Sequence, residues 1–302
     1  MELCIVGLGR MGANMAERLV RAGHRVVAHD RDPDAMERAA RAGAEKGATM
    51  RDAVRSLGTP RVVWLMIPAG TPVDRAIDDL LADLEAGDII VDGGNSNYKD
   101  SMRRAALLKA KGIHFVDVGT SGGIWGLKEG YSLMVGGEAG AVERLRPALE
   151  SLAPAPDRGW GHVGPAGAGH FVKMVHNGIE YGLMQAYAEG FALMERKKEF
   201  ALDLGRIAEI WRHGSVVRSW LLDLIARALA ENPALAGVKP YVEDSGEGRW
   251  TVLEAVDLEV SLPVITASLM ERFRSRDENS YADRLLAMMR YQFGGHAFKK
   301  EA

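Results

Sequence analysis

Between residues 3 and 163 the chain alternates short apolar runs with amphipathic stretches. The runs at 3–6, 26–29, 62–67, 89–91, 114–118 and 132–135 are apolar at nearly every position, as expected of parallel strands covered on both faces. Between them, 11–22, 34–42, 72–84, 99–111 and 139–152 repeat apolar residues at helical spacing, which predicts helices that each bury one stripe. This alternation predicts an α/β domain over residues 1–163, built on a doubly wound parallel sheet. After Gly164-Pro165-Ala166-Gly167 the strand pattern stops, and Ala, Leu, Met, Glu and Arg recur at helical spacing. Residues 164–302 are therefore predicted as an all-helical domain, opened by a long helix over 168–196. Gly294-Gly295 is the expected end of the last helix.

Composition narrows the function. A length of 302 residues and a net charge of −3 suit two cores and a small-molecule substrate. Lys109-Ala110-Lys111 and Arg196-Lys197-Lys198 read as solvated helix ends, with no basic stripe to hold a nucleic acid. The lone cysteine, Cys4, lies inside the first apolar run, so a buried thiol is expected and a disulfide framework is excluded. The chain enters its first strand directly, without a signal-peptide pattern, and has no run of eighteen apolar residues. The expectation is a cytoplasmic protein with no membrane partner and no metal site.

Two segments carry chemistry. Gly7-Leu8-Gly9-Arg10-Met11-Gly12 follows the first strand and opens a helix, where glycines let a dinucleotide pyrophosphate approach the backbone and the helix N-terminus. This points to a Rossmann-type domain. Asp30 ends the second strand, where a carboxylate accepts from the ribose hydroxyls and repels a 2′-phosphate, so NAD is expected over NADP. Arg31 and Arg21 are cations that can stack on adenine or bind the extra phosphate. In the segment from Gly169 to Gly182, Lys173, His176, Asn177 and Glu180 fall three and four residues apart, on one helix face. An amine, an imidazole, an amide and a carboxylate are costly to bury without partners, so the stripe reads as a catalytic surface. Met174, Val175, Ile179 and Leu183 are expected to leave the rest of the helix little contact with water.

Three further blocks complete the picture: Asp92-Gly-Gly-Asn-Ser-Asn-Tyr-Lys-Asp-Ser101, Gly119-Thr-Ser-Gly-Gly123 followed by Tyr131-Ser-Leu-Met-Val-Gly-Gly137, and Arg290-Tyr-Gln-Phe-Gly-Gly-His296. With them the chain resembles the decarboxylating 6-phosphogluconate dehydrogenases, in the β-hydroxyacid dehydrogenase superfamily, over essentially its whole length. The resemblance implies that Lys173 is the general base at the C3 hydroxyl and Glu180 the acid that protonates the enediol. It implies that Asn95, Ser121, Gly122, Gly123, His176 and Asn177 hold the carboxylate and hydroxyls, and that Tyr181 and Arg272 meet the phosphate. Met66 and Asn95 join the glycine loop, Asp30 and Arg31 on the cofactor side. Arg290 and His296 belong to a tail that reaches a neighbour's site, which implies a homodimer or homotetramer with shared active sites.

The chain departs from the long form of that family in two respects. It resembles the short subgroup with one helical unit, and it has Ser245-Gly-Glu-Gly-Arg-Trp-Thr251 where the long form has Lys-Gly-Thr-Gly-Lys-Trp-Thr. A cation and a hydroxyl are lost there and Glu247 is gained; the resemblance implies that Arg272 or Arg274 aligns with the family's phosphate arginine. Two other functions compete. A non-decarboxylating dehydrogenase of the 3-hydroxyisobutyrate or tartronate-semialdehyde type shares the glycine loop and the lysine, but usually carries Lys-x-x-x-Asn-Asn and lacks the Gly-Gly-His tail. A catalytically silent NAD-binding sensor is disfavoured by the intact Lys173 and Glu180.

Overall fold

The computed structural model describes residues 1–299. It contains two compact units that meet within one helix, the first ending at Asn177 and the second beginning at Gly178.

The first unit alternates strands and helices: β1 (Glu2–Val6), α1 (Arg10–Arg21), β2 (Arg25–His29), α2 (Pro33–Arg41), β3 (Glu45–Lys46), α3 (Met50–Arg55), β4 (Val62–Leu65), α4 (Thr71–Leu80), β5 (Ile89–Asp92), α5 (Tyr98–Lys109), β6 (His114–Ser121), α6 (Gly126–Glu129), β7 (Ser132–Gly137), α7 (Ala139–Leu152) and β8 (Trp160–Gly164). The strands form one eight-stranded sheet in the order β3-β2-β1-β4-β5-β6-β7-β8. The order reverses on either side of β1, so the crevice beyond its carboxyl end is the expected ligand position for such a sheet.

Successive side chains on β1 point to opposite faces and enter different cores. Leu3 and Ile5 pack with Met15, Leu19, Leu145 and Leu149, whereas Cys4 and Val6 pack with Ile77, Leu80, Ile90 and Phe115. Burial pushes the Cys4 thiol up to about 12, so it is an inert core residue.

The sheet is not wholly parallel: β6 and β7 pair antiparallel, in register from Val116 with Gly137 to Ser121 with Ser132. The short connection after Ser121 cannot make the crossover a parallel pair needs. β3 and β8 escaped the sequence pattern because neither is an apolar run. β3 is Glu45–Lys46 and exposed, and β8 reads WGHVG with no fully buried residue.

The second unit is helical: the remainder of α8 (Ala168–Arg196), then α9 (Leu204–Arg212), α10 (Trp220–Glu231), α11 (Glu247–Asp257), α12 (Pro263–Arg276) and α13 (Tyr281–Gly294). Its buried core is Ala208, Leu222, Ala226 and Leu229, with Tyr187, Phe191, Leu204, Trp211 and Ile225 packed around it. Gly295 ends α13 in the left-handed region, at φ +63°. On α8 the structure corrects one expectation. Met174 is buried, but Ile179 and Leu183 are 52% and 47% exposed, because this small core leaves one face of the helix uncovered in a single chain.

Asp244 ties the 232–246 connection to two helices. It accepts from Arg249 at 2.8 and 3.0 Å and pairs with Arg276 at 2.9 Å. Hydrogen bonding from Arg249, and then from Arg276, lowers its carboxyl from 3.8 to about 2. A depressed carboxyl contributes stability that is fully present above the unfolded value and lost as pH falls through the folded one. Asp244→Asn should therefore cost about 1–2 kcal/mol at neutral pH, after allowance for screening at the exposed Arg249. Denaturant melts should show this difference shrinking between pH 4 and pH 2; a cost independent of pH would contradict the ionic account.

Candidate active site

The glycine loop is built for a ligand. Gly7 has φ +96°, and a Cβ there would lie 2.5 Å from the Met66 carbonyl oxygen; a Cβ at Gly12 would lie 2.0 Å from the Gly7 carbonyl oxygen. These two glycines allow the tight turn and the close approach of α1. A Cβ on Gly9 would meet nothing within 4 Å, so the space over the helix start is open to a pyrophosphate. No side chain caps α1 at Gly9, which leaves its N-terminus to a ligand.

Asp30 receives the Leu8 N–H at 2.6 Å and the Asp32 N–H at 2.9 Å. Partial burial pushes its carboxyl up, but these backbone donors outweigh that and hold it below the usual value, so it stays ionised. Asp30 and Arg31 line a cavity of about 610 Å³ with Gly7, Gly9 and Met66. Met50, Pro72, Arg75 and Asp79 close the same cavity; the sequence reading missed them because α3 is too short to show periodicity and α4 read only as a covering helix.

The other expected cofactor residues divide. Leu8 is buried in the core with its N–H taken by Asp30, Met11 packs against that core, and Arg10 is exposed beside Gly9. Arg21 pairs with Glu17 on α1 and is not among the residues lining the cavity of Asp30.

The Asp92–Ser101 block runs from the end of β5 through a turn into the first residues of α5. Asp92 is fully buried and accepts from Gly94 N, Ser96 Oγ and Arg104 Nη1 at 3.1, 2.7 and 3.2 Å. Arg104 is itself buried and continues to Asp74 at 2.8 Å and the Gly70 carbonyl at 3.0 Å. This network fixes the loop that holds Asn95 at φ +54°. Asn95 Oδ1 accepts from Thr120 N at 2.8 Å and its Nδ2 donates to Thr120 O at 3.0 Å. The side chain thus joins the β5 and β6 loops and keeps one amide hydrogen for a ligand.

At the end of β6, Ser121 is half-buried, and the following Gly122 and Gly123 have φ +130° and +51°. Ser121 Oγ lies 3.5 Å from His176 Nε2. Lys173 is 5% exposed; its Nζ donates to Asn177 Oδ1 at 2.6 Å and lies 3.3 Å from His176 Nδ1. Four of the expected substrate-side groups, Ser121, Lys173, His176 and Asn177, therefore meet in the first unit.

What places Lys173 there was not read from the sequence. Asp117 on β6 is fully buried, and its two oxygens accept from Gly167 N at 2.6 Å and His170 N at 2.8 Å. It caps α8 across 50 residues or more of sequence. A Cβ on Gly119 would lie 2.4 Å from Lys173 Cβ, and one on Gly169 would lie 2.6 Å from the Asp117 carbonyl oxygen. Glycine at both positions lets α8 lie directly on the sheet. The available signal was one aspartate inside the apolar run of 114–118.

In the second unit Glu180 is half-buried on α8 and Tyr181 is buried. The Tyr181 hydroxyl accepts from Ser245 N at 3.0 Å and lies 3.2 Å from Ser245 Oγ. The Arg272 guanidinium sits 3.6 Å over the Tyr181 ring and donates to the Glu243 carbonyl at 2.6 Å. Arg274 instead pairs with Glu271 at 2.7 Å, so Arg272 is the arginine this cluster contains. Ser245 Oγ donates to Glu247, which is buried. Arg290 is exposed on α13, and the exposed His296 meets the Phe293 ring edge-on at 6.0 Å.

Comparisons with known proteins account for this arrangement. The family model of the NAD binding domain of 6-phosphogluconate dehydrogenase matches residues 2–163, and that of the 6-phosphogluconate dehydrogenase C-terminal domain matches residues 169–301. The NAD(+)-dependent, decarboxylating 6-phosphogluconate dehydrogenase of Haloferax volcanii is 46% identical over 297 residues, which is 98% of each chain. The structure of Plasmodium falciparum 6-phosphogluconate dehydrogenase, studied apo, with its cofactor NADP+ and with its substrate 6-phosphogluconate, matches with a TM-score of 0.84 at 30% identity. That match covers 100% of this chain and 66% of the Plasmodium one. Mycobacterium tuberculosis 3-hydroxyisobutyrate dehydrogenase with L-serine matches with a TM-score of 0.72 at 26% identity, over 88% of this chain and 90% of its own.

Proposed function

Because the chain belongs to the 6-phosphogluconate dehydrogenase family, we propose that it oxidises and decarboxylates 6-phosphogluconate to ribulose 5-phosphate with NAD. The observation that carries this reading is the buried Lys173, held by Asn177 beside His176 and Ser121. The open Gly9 and the ionised Asp30 fit a dinucleotide. When bound, the nicotinamide supplies the hydride acceptor for C3. Lys173, in its neutral form, takes the proton of the C3 hydroxyl. Its ammonium then donates to the 3-keto oxygen, drawing in the electron pair as the bond to the carboxylate carbon breaks and carbon dioxide departs. Glu180, about two turns further along the helix, protonates the carbon that lost carbon dioxide. Ser121, Gly122, Gly123, His176 and Asn177 supply donors and acceptors for the carboxylate and hydroxyls. Tyr181 and Arg272 take the phosphate, with a guanidinium fork suited to that group.

The direct test is a set of NADH- and NADPH-forming assays with 6-phosphogluconate, gluconate and 3-hydroxyisobutyrate. Preference for 6-phosphogluconate is expected. Preference for 3-hydroxyisobutyrate would favour the plain dehydrogenases that the Mycobacterium structure represents, and no turnover with nucleotide binding intact would favour the sensor.

NAD is the preferred cofactor in this reading, because Asp30 fills the ribose position with a fixed negative charge. Asp30→Ser should raise KM for NAD about tenfold or more, as expected for losing hydrogen bonds to a charged acceptor, and should narrow the gap to NADP because Arg31 remains. A wild-type enzyme with the lower KM for NADP would overturn the assignment.

The active enzyme is a homodimer or homotetramer with shared sites in the cytoplasm, acting on a small sugar-acid phosphate without nucleic acid or membrane. Supporting this, α13 buries none of its residues and exposes Leu286 by 54% and Phe293 by 80%, more apolar surface than a solitary helix ordinarily shows. No helix among the described residues is long and apolar enough to cross a membrane. Co-expressed Lys173→Met and Arg290→Ala chains, each inactive alone, should regain activity in hybrids. Inactive hybrids verified by mass would rule out sharing through Arg290.

A further inference from the structure

The helix that opens at the dinucleotide loop also holds the loop that carries Ser121, Gly122 and Gly123. Asn14, in the second turn of α1, donates from Nδ2 to the Ile124 carbonyl at 3.3 Å. One turn further, Arg18 donates from Nη1 to the Leu127 carbonyl at 3.2 Å, from Nε to that of Ser151 at 2.9 Å and from Nη2 to that of Ala153 at 2.6 Å. Four-residue spacing puts Asn14 and Arg18 on one face of α1. The planar guanidinium, bonded to three carbonyls from two separate segments, is a stiff anchor.

The Ile124 end of the loop is held differently. Gly122 and Gly123 precede it in the left-handed half of backbone space, and Ile124 is 58% exposed. Asn14 and Ile124 border a cavity of about 590 Å³ that also touches Leu8, Gly9 and Arg10. The rest of the cavity wall is α1 and α2, so the hydrogen bond from Asn14 joins the loop to α1 at the cavity rim. It starts one turn from the open space over Gly9.

We propose that Asn14 is a positioning residue that couples seating of the dinucleotide to the shape of the substrate loop. A dinucleotide over Gly9 orders the first turn of α1, and Asn14 passes that order to Ile124 and so to Ser121-Gly122-Gly123. Arg18 holds the far end of the loop at Leu127, so the segment between has one fixed and one cofactor-dependent end. Such coupling is reciprocal: the substrate strengthens dinucleotide binding by the same factor as the dinucleotide strengthens substrate binding. The inference rests on the reading of Ser121–Gly123 as substrate loop.

The test is a binding cycle with NADH and 6-phosphogluconate, each alone and together, on wild type, Asn14→Ala, Arg18→Lys and Ser121→Ala, with melting temperatures alongside. In wild type NADH should tighten 6-phosphogluconate binding. Asn14→Ala should reduce that factor about fivefold, the effect of one hydrogen bond, while NADH alone binds within twofold of wild type and the melting temperature falls only slightly, through the contact of Asn14 with the buried Tyr131. Arg18→Lys, which can no longer reach three carbonyls, should lower both the coupling factor and the melting temperature. An unchanged factor in Asn14→Ala, with 6-phosphogluconate binding weakened in Ser121→Ala, would overturn the coupling alone. Wild-type 6-phosphogluconate affinity in Ser121→Ala would overturn the reading of the loop, and the coupling with it.

Discussion

Lys173→Met should lower kcat by about 10³–10⁴-fold, the upper range for loss of a general base, while NADH affinity stays within twofold of wild type. Methionine keeps the length of the side chain and suits a buried position, so the loss reports chemistry and not a cavity. Lys173 Nζ is the group that reaches Asn177 and His176, and neither of these can replace it as a base that also polarises a ketone. Steady-state rates and NADH fluorescence titration separate the two quantities. Residual activity within tenfold of wild type would exclude Lys173 as the base.

The second large effect is structural in origin. Asp117→Ala should destabilise the protein by about 3–5 kcal/mol, because two charge-assisted hydrogen bonds are lost and two buried N–H groups are orphaned. Those groups, on Gly167 and His170, begin the helix that carries Lys173. Activity in the folded fraction should fall too, since α8 loses the contact that sets its start against the sheet. Urea melts and rates measured well below the melting temperature would check both. A variant within 1 kcal/mol of wild type would show that the start of α8 is held by other means.

The main strands and the long helix were legible because each is a continuous pattern. The 168–196 helix keeps its period throughout, and the strands of the sheet centre are apolar over most of their length. The edge strands were not legible, since β3 is two exposed charged residues and β8 has glycines and a histidine in place of an apolar run. The reversed direction of β7 depends on how far the chain can travel after Ser121, a property of the connection and not of the strand. At the site, Lys173, His176 and Asn177 stood out because polar groups at helical spacing on an otherwise apolar helix call for partners. Asp117, Gly119, Asp92 and Arg104 were invisible in that role. The partners of Asp117 and Gly119 lie some fifty residues off, as in the bond from Gly167 to Asp117, and Arg104 reaches thirty residues back to Asp74; Asp92 has near neighbours as partners, but nothing in the pattern marks its burial. Ile179 and Leu183 show the opposite failure, because an apolar pattern cannot say whether the same chain or another one covers it.

The central claim is that oxidation at C3 is followed by loss of C1 as carbon dioxide. It is tested most directly by supplying 6-phosphogluconate labelled with carbon-13 at C1, together with NAD, and measuring NADH and labelled carbon dioxide in the same reaction. The account predicts one labelled carbon dioxide released for each NADH formed, with ribulose 5-phosphate as the other product. NADH formation with the label retained in the sugar acid would contradict it and assign the protein to the non-decarboxylating dehydrogenases.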